Sequence, residues 1–158
     1  MKPNNLLRTL GFTLLELMMA LVVFSIISVI SFGAYQQYLY KSRRTDGQIS
    51  LISLQLAQEQ YRNNCSQYAT ELGSNNSCSQ SLSTNPDGQH TLSASSISPN
   101  RYYQLAIQAN SANSTSYILT ATAIGIQLGD SACQIFSIDQ SSNKSARTST
   151  GQIATDCW

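Results

Sequence analysis

The sequence predicts an α+β fold in which one long N-terminal helix packs on an antiparallel sheet of three to four strands. Three observations lead to this prediction. Residues 12–32 form an apolar run with a single charge, although the apolar content of the 158-residue chain is an ordinary 42%. A helical pattern continues after that run until Asn63-Asn64. Three later segments alternate apolar and polar residues, which is typical of strands with one buried face.

The apolar run, FTLLELMMALVVFSIISVISF, is long enough to cross a membrane. Its 21 residues would span about 31 Å as a helix, which matches the hydrocarbon core of a bilayer. The alternative is a cleaved signal peptide, because Ser31-Phe32-Gly33 offers a small-residue cleavage site before Ala34. Signal peptides have a shorter apolar core of about 7–15 residues, so we expect a membrane-spanning helix.

The cysteines set the expected orientation of this helix. Basic residues stand on both sides of the apolar run, so the positive-inside rule does not decide the orientation. All four cysteines follow the helix, and disulfides need an oxidising compartment. We therefore expect a cytoplasmic N-terminus and a periplasmic or extracellular remainder.

Residues 11–16, GFTLLE, resemble the leader-cleavage motif of type IV pilins and related pseudopilins. The resemblance implies that a prepilin peptidase cuts between Gly11 and Phe12 and that Phe12 is then N-methylated. It implies the type IV pilin fold, with a helix that is transmembrane in its first half and amphipathic in its second. It also implies three regions: a removed leader at 1–11, a membrane and filament-core helix half at 12–40, and a head domain at 41–158.

Glu16 is the one charge within the apolar run. A carboxylate inside a bilayer costs about 2.5–3.5 kcal/mol on insertion scales, so such a residue indicates function. The resemblance implies that Glu16 neutralises the Phe12 amine of a neighbouring subunit during assembly. The alternative is that Glu16 reaches the membrane interface near the helix N-terminus. Many family members carry a proline where this chain has Gly33, so a kink is less strongly predicted here.

The helix after the membrane segment is expected to pack on the sheet through an apolar stripe. Ile49, Ile52 and Leu56 recur at three- and four-residue spacing, and Leu51 and Leu54 widen the stripe.

Charged residues precede this stripe in the segment KSRRTDGQ. The segment resembles one in PilE-type minor pilins, and we take Arg43, Arg44 and Asp46 as candidate subunit contacts. The alternative is a solvated collar that keeps the chain from slipping into the membrane.

The second half of the chain predicts the sheet. Strands are expected at 102–109, 116–125 and 132–139, with a fourth near Ile153. A polar stretch at 63–98 precedes them, and it is too long for a plain connection.

The four cysteines, Cys65, Cys78, Cys133 and Cys157, allow three disulfide pairings. Local pairing of the first two and of the last two is our prediction, and the other pairings remain open. No C-x-x-C spacing predicts a zinc site. The ending, CQIFSIDQSSNKSA followed by DCW, resembles PilE-like minor pilins, in which two cysteines bracket a C-terminal loop. Trp158 is interpreted as a hydrophobic plug rather than as a partner-binding residue.

These patterns predict a structural protein rather than an enzyme, and they predict no cofactor. No catalytic or phosphate-binding motif is present in the sequence. The leading hypothesis is a minor subunit of a type IV pilus that serves pilus biogenesis, adhesion or twitching motility. Its expected partners are other pilin subunits, prepilin peptidase, the inner-membrane assembly machinery, and the bilayer before assembly. The resemblance implies that the protein lies in the bacterial inner membrane with a periplasmic head before assembly, and in the extracellular pilus after assembly.

Two alternative functions remain open. A pilin that receives DNA during transformation would need clustered cations, yet from Lys41 onward the chain has seven basic and seven acidic residues. Nucleic acid is therefore a less favoured partner, and a small local basic patch remains open as an alternative. A type II secretion pseudopilin would share the N-terminal motif, but major pseudopilins often use calcium where this chain has four cysteines.

Overall fold

One long helix begins the fold. The computed structural model describes residues 11–78 and 90–158, so the first ten residues of the expected leader lie outside the described residues. Helix α1 comprises Leu14–Arg62, 49 residues in all. It contains an apolar window long enough to cross a membrane. Tyr38 ends the first of two structural units, and the second, Leu39–Trp158, holds the head described below.

Six strands follow the helix within residues 63–78 and 90–158. A short parallel pair consists of β1 (Glu71–Gly73) and β2 (Thr91–Ser93). The main antiparallel sheet consists of β3 (Tyr103–Ile107), β4 (Ile118–Ala123), β5 (Ile135–Asp139) and β6 (Lys144–Arg147), in that spatial order. A long helix on a four-stranded antiparallel sheet confirms the predicted fold class.

The three strands expected from alternation are confirmed with narrower bounds, but the expected position of the fourth strand was wrong. The fourth strand is β6, and Ile153 contributes only a single bridge to Arg147. A tight turn after Asp139 brings β6 back beside β5 before the chain reaches Ile153. The pair β1 and β2 was not predicted, because three-residue strands are too short to show alternation.

The face of α1 that packs on the sheet differs from the predicted one. Leu51 and Leu54 are buried as expected. Ile49, Ile52 and Leu56, however, are 58%, 48% and 61% exposed. At about 100° per residue, these three side chains lie on the side of the helix opposite the two buried leucines. The stripe was assigned to the wrong face because the helix carries apolar residues on two sides.

Small and polar residues explain why the other face packs on the sheet. Gly47 lies against the buried ring of Tyr103, and a Cβ at Gly47 would come within 2.9 Å of that ring. Further along, the side-chain amide of Gln58 bonds both the N–H and the carbonyl of Ala69 at 3.0 Å. The helix therefore lies close to the sheet at Gly47, and the buried amide of Gln58 is paired.

Both local disulfides are present in the structure. Cys65–Cys78 closes the loop after α1, with a Cα–Cα distance of 5.6 Å. Cys133–Cys157 joins the segment before β5 to the tail, with a Cα–Cα distance of 5.7 Å. In the loop-entropy model each bridge contributes about 3 kcal/mol of stability. The second bridge holds the tail beside β6, where Trp158 packs edge-on against the buried ring of Phe136.

Candidate functional site

The N-terminal motif begins the described part of the chain. Phe12 is exposed, and the Thr13 hydroxyl accepts a hydrogen bond from the Glu16 backbone N–H at 3.2 Å. This is an N-cap contact, and it puts the Glu16 side chain in the first turn of α1, where the helix dipole favours an acid. Cleavage after Gly11, methylation of Phe12 and charge pairing between subunits stay predictions.

Arg44 forms an ion pair inside the head. Its Nε and Nη2 donate to the two carboxylate oxygens of Asp130 at 2.7 and 2.9 Å. The Arg44 side chain is 12% exposed and that of Asp130 is 2% exposed. A bidentate pair at this depth is charge-assisted and geometrically specific. It joins α1 to the connection between β4 and β5.

Gln127 also stabilises the connection between β4 and β5. It lies in the 3₁₀ turn Gly125–Gly129, which is part of that connection. The side chain of Gln127 is fully buried, and its Nε2 lies 3.2 Å from each of the Tyr40 carbonyl, the Tyr103 hydroxyl and Asp130 Oδ2. Burial raises the pKa of Tyr103 to about 12, so this hydroxyl stays neutral. The turn is therefore fixed to the helix by a buried polar network.

The other two candidate subunit contacts also have partners in the head. Asp46 Oδ1 accepts hydrogen bonds from the backbone N–H and the side-chain amide of Asn100 at 3.3 and 3.0 Å. Arg43 is half-buried, with its guanidinium 5.1 Å from the ring centroid of Tyr102. Contacts of these residues with other subunits stay predictions.

A cationic surface lies along β6, the edge strand of the main sheet. Lys144 and Arg147 are both exposed, and the Lys144 ammonium lies 4.9 Å from the ring centroid of Trp158. Trp158 Nε1 donates to the Ser145 carbonyl at 2.8 Å, which fixes the ring beside the strand. Arg147 Nη1 donates to the Gly151 carbonyl at 3.0 Å. We call this surface the β6 face; it comprises Lys144, Arg147, Trp158 and the polar turns 140–143 and 148–152.

The Asp139 carboxylate holds the turn between β5 and β6. The Asp139 carboxylate accepts hydrogen bonds from the backbone N–H of Ser141 and from the backbone and side chain of Asn143, at 2.8 to 2.9 Å. Burial would raise the pKa of Asp139, but these hydrogen bonds outweigh it and the pKa is lowered. Asp139 therefore stays ionised and holds the turn through these hydrogen bonds.

The acidic and basic side chains of the head differ in their contacts and exposure. Glu59 accepts hydrogen bonds from the hydroxyls of Tyr68 and Tyr117. Within the described ranges, the one ion pair is Arg44–Asp130. Lys144, Arg147 and Arg101 are exposed cations outside that pair. Several acids therefore serve internal contacts, and these cations face solvent.

Residues 11–78 and 90–158 contain no group of three or more His, Cys, Asp or Glu side chains arranged to hold a metal ion. The β6 face combines two exposed cations, a fixed indole ring, and hydroxyl and amide groups, and such groups can contact phosphate.

Sequence reasoning did not single out the β6 face because, after Arg62, three basic residues stand against five acidic ones. A local signal was available: residues 140–155 contain Lys144 and Arg147 and no acidic residue. The other cationic residues of the head precede this segment by at least 39 positions. Counting charge by segment would have singled it out.

Two family models match the chain. The model described as "Type IV minor pilin ComP, DNA uptake sequence receptor" matches residues 33–137, and the one described as "Prokaryotic N-terminal methylation motif" matches residues 7–32. A comparison with curated proteins gives no match. The predictions of a minor pilin and of a non-enzymatic protein are confirmed. The match supports the alternative hypothesis of a DNA-receptor pilin better than the leading hypothesis of a subunit for pilus biogenesis, adhesion or motility. Because the first model covers well over half of the sequence, the chain belongs to the family of type IV minor pilins described as ComP, DNA uptake sequence receptor.

Proposed function

We propose that this protein is a minor pilin that binds double-stranded DNA during natural transformation and that the β6 face makes the contact. The family match carries the proposal, because the family is described as a receptor for DNA uptake sequences. The matched residues end at Ser137, so the location of the contact on β6 is argued from the head's own charges and geometry.

The β6 face suits a nucleic acid backbone. DNA binding needs cations that can neutralise phosphates, and Lys144 and Arg147 are exposed on an edge strand. Hydroxyls of Thr148 and Thr150 and the turn around Asn143 add neutral hydrogen-bonding groups, which fix register on the duplex. The Cys133–Cys157 bridge restrains the tail, so these groups are ordered before DNA arrives.

The cations near Arg43 are less suited to DNA. The Arg43 guanidinium is half-buried over Tyr102, and the carboxylate of Asp46 lies three residues further along the helix. Both belong to the part of α1 that directly follows the predicted membrane segment. Arg101 is exposed, but it precedes β3, at the edge of the main sheet opposite β6.

Assembly into a pilus completes the proposal. Removal of residues 1–11 would free the amine of Phe12, and Glu16 would neutralise that amine in a neighbouring subunit. Residues 12–40 would then exchange lipid for the helices of other subunits, and the head at 41–158 would face outward. The exposed stripe of Ile49, Ile52 and Leu56 offers those helices an apolar surface beyond the membrane segment. A closer relation to PilE-type minor pilins stays a prediction based on KSRRTDGQ and DCW.

DNA binding can be tested with the full chain in an uncharged detergent. Fluorescence anisotropy with a labelled duplex, measured across salt concentrations, gives the slope of log K against log salt. Replacing Lys144 and Arg147 by Gln should weaken binding and reduce that slope by about 0.9 for each lost phosphate contact. Sequence preference is measured separately, by enrichment from a pool of random duplexes.

Arg101→Gln is the matched control, since it removes one exposed cation from the opposite edge of the sheet. It should leave the affinity and the slope close to those of the unmodified chain. An equal loss in the control and in the β6 variants would contradict the assignment to the β6 face. An unmodified chain without measurable DNA affinity at low salt would contradict the function itself.

A further inference from the structure

The indole ring of Trp158 makes three kinds of contact. It packs edge-on against the buried ring of Phe136, with the ring centroids 5.5 Å apart and an interplanar angle of 89°. Its Nε1 donates a hydrogen bond to the Ser145 carbonyl at 2.8 Å. The Lys144 ammonium lies over the ring, 4.9 Å from its centroid. The first two contacts are those of a hydrophobic plug, but the third involves an exposed cation of the β6 face.

The backbone just before this ring is attached to two parts of the head. Trp158 follows Cys157, which is bonded to Cys133 in the segment before β5. The Cys157 carbonyl also accepts a hydrogen bond from Gln48 Nε2 of α1 at 2.9 Å. Because both the backbone and the indole N–H are restrained, the ring is a fixed surface on which a mobile side chain can rest.

The ring holds Lys144 without cancelling its charge. A carboxylate beside Lys144 would position the ammonium but would also neutralise it. An aromatic face attracts a cation through its quadrupole and carries no net charge, so the positive charge stays available to a phosphate. Among the described residues Lys144 forms no ion pair. Its ammonium therefore keeps both its charge and its hydrogen-bond donors for a ligand.

Arg147 is held in a similar way by a neutral acceptor. Its Nη1 donates to the Gly151 carbonyl at 3.0 Å, which leaves the other donors of the guanidinium for a ligand. Gly151 has a φ of +82°, a backbone conformation that favours glycine. Both cations of the β6 face are thus positioned by neutral groups.

We infer that Trp158 is a positioning residue for DNA binding, whose indole face holds the Lys144 ammonium in place for a phosphate. The inference rests on the proposed function, because it assigns a role within the β6 face. A lysine side chain loses rotamer freedom when it binds a phosphate, and this loss weakens binding. Lys144 has already lost part of that freedom over the ring. Trp158 thus raises DNA affinity through Lys144 and contacts no phosphate itself.

A double-mutant cycle with the full chain in an uncharged detergent tests this role. DNA affinity and its salt slope are measured by fluorescence anisotropy for the unmodified chain, Trp158→Leu, Lys144→Gln and the chain with both substitutions. Trp158→Leu should weaken binding by about 2- to 10-fold, the cost of ordering one long side chain. It should leave the salt slope unchanged, because Lys144 still neutralises its phosphate. Lys144→Gln should reduce the slope by about 0.9, and adding Trp158→Leu to it should weaken binding no further.

Trp158→Phe is the matched control, because it keeps an aromatic face for Lys144 and a ring beside Phe136. It should retain more affinity than Trp158→Leu, and any loss that it shows should also vanish in the Lys144→Gln background. Thermal unfolding of each variant reports whether the head is folded, and the cycle with Trp158→Phe decides the matter if the Leu variant is not.

Three results would overturn the positioning role while DNA binding itself stands. They are an unchanged affinity in Trp158→Leu, a loss that persists in the Lys144→Gln background, and equal affinities of the folded Phe and Leu variants. A persistent loss would indicate that Trp158 acts by packing or by touching DNA directly. An unmodified chain without DNA affinity at low salt would overturn the proposed function and this inference with it.

Discussion

Removing the guanidinium of Arg44 should destabilise the head strongly. The Asp130 carboxylate is 2% exposed and accepts two charge-assisted hydrogen bonds from Arg44. In Arg44→Ala, the donor that remains within the described residues is the neutral amide of Gln127 at 3.2 Å. Breaking a buried ion pair by deleting one partner costs about 3–5 kcal/mol, and we expect the lower end because Arg44 is partly exposed. For a head of this size, about 3 kcal/mol lowers Tm by about 12 °C.

The assay is thermal unfolding of the full chain, followed by near-ultraviolet circular dichroism. Arg43→Ala is the matched control, because it removes the adjacent guanidinium but only a cation–π contact worth about 0.5–1 kcal/mol. Adding Asp130→Asn to Arg44→Ala should recover part of the loss, since no charge then stays buried without a partner. Equal Tm values for the Arg43 and Arg44 variants, or no recovery in the double variant, would refute the reasoning.

Three further predictions concern the N-terminus, the acid response and the helix–sheet contact. Glu16→Ala should insert into membranes normally but enter filaments poorly, as measured by the ratio of membrane to pilus protein; normal incorporation would count against charge pairing. Burial lowers the pKa of His90, so its contribution to stability is present above a pH of about 6.5 and is lost as pH falls through the lowered value. His90→Gln should remove this decline from the unfolding free energy measured between pH 7 and 5, and a slope equal to that of the unmodified chain would exclude His90 as its cause. Gly47→Ala should destabilise the head by about 1–3 kcal/mol through overpacking, whereas Gly33→Ala, with open space around it, should leave head unfolding unchanged.

The regular elements were predictable because their patterns are local. A run of apolar residues predicts α1, and strict alternation predicts strands such as β3 and β5. The buried face of α1 was not predictable, since Leu51 and Ile52 support opposite faces equally well by periodicity. What decides between the faces is the fit of Gly47 against a ring that lies far away in the sequence. The sequence of the helix alone does not predict such a contact.

The balanced charge count of the whole head concealed the candidate site. Equal numbers of acidic and basic residues suggest a head without affinity for phosphate, but this holds only if both kinds of charge face solvent alike. In the fold, Asp130 neutralises a guanidinium inside the head, and Asp139 is bound by the turn before β6. Lys144 and Arg147 remain outward on an edge strand, and residues 140–155 contain no acidic residue. A neutral protein can thus present a cationic surface, because folding distributes its charges by the contacts each one makes.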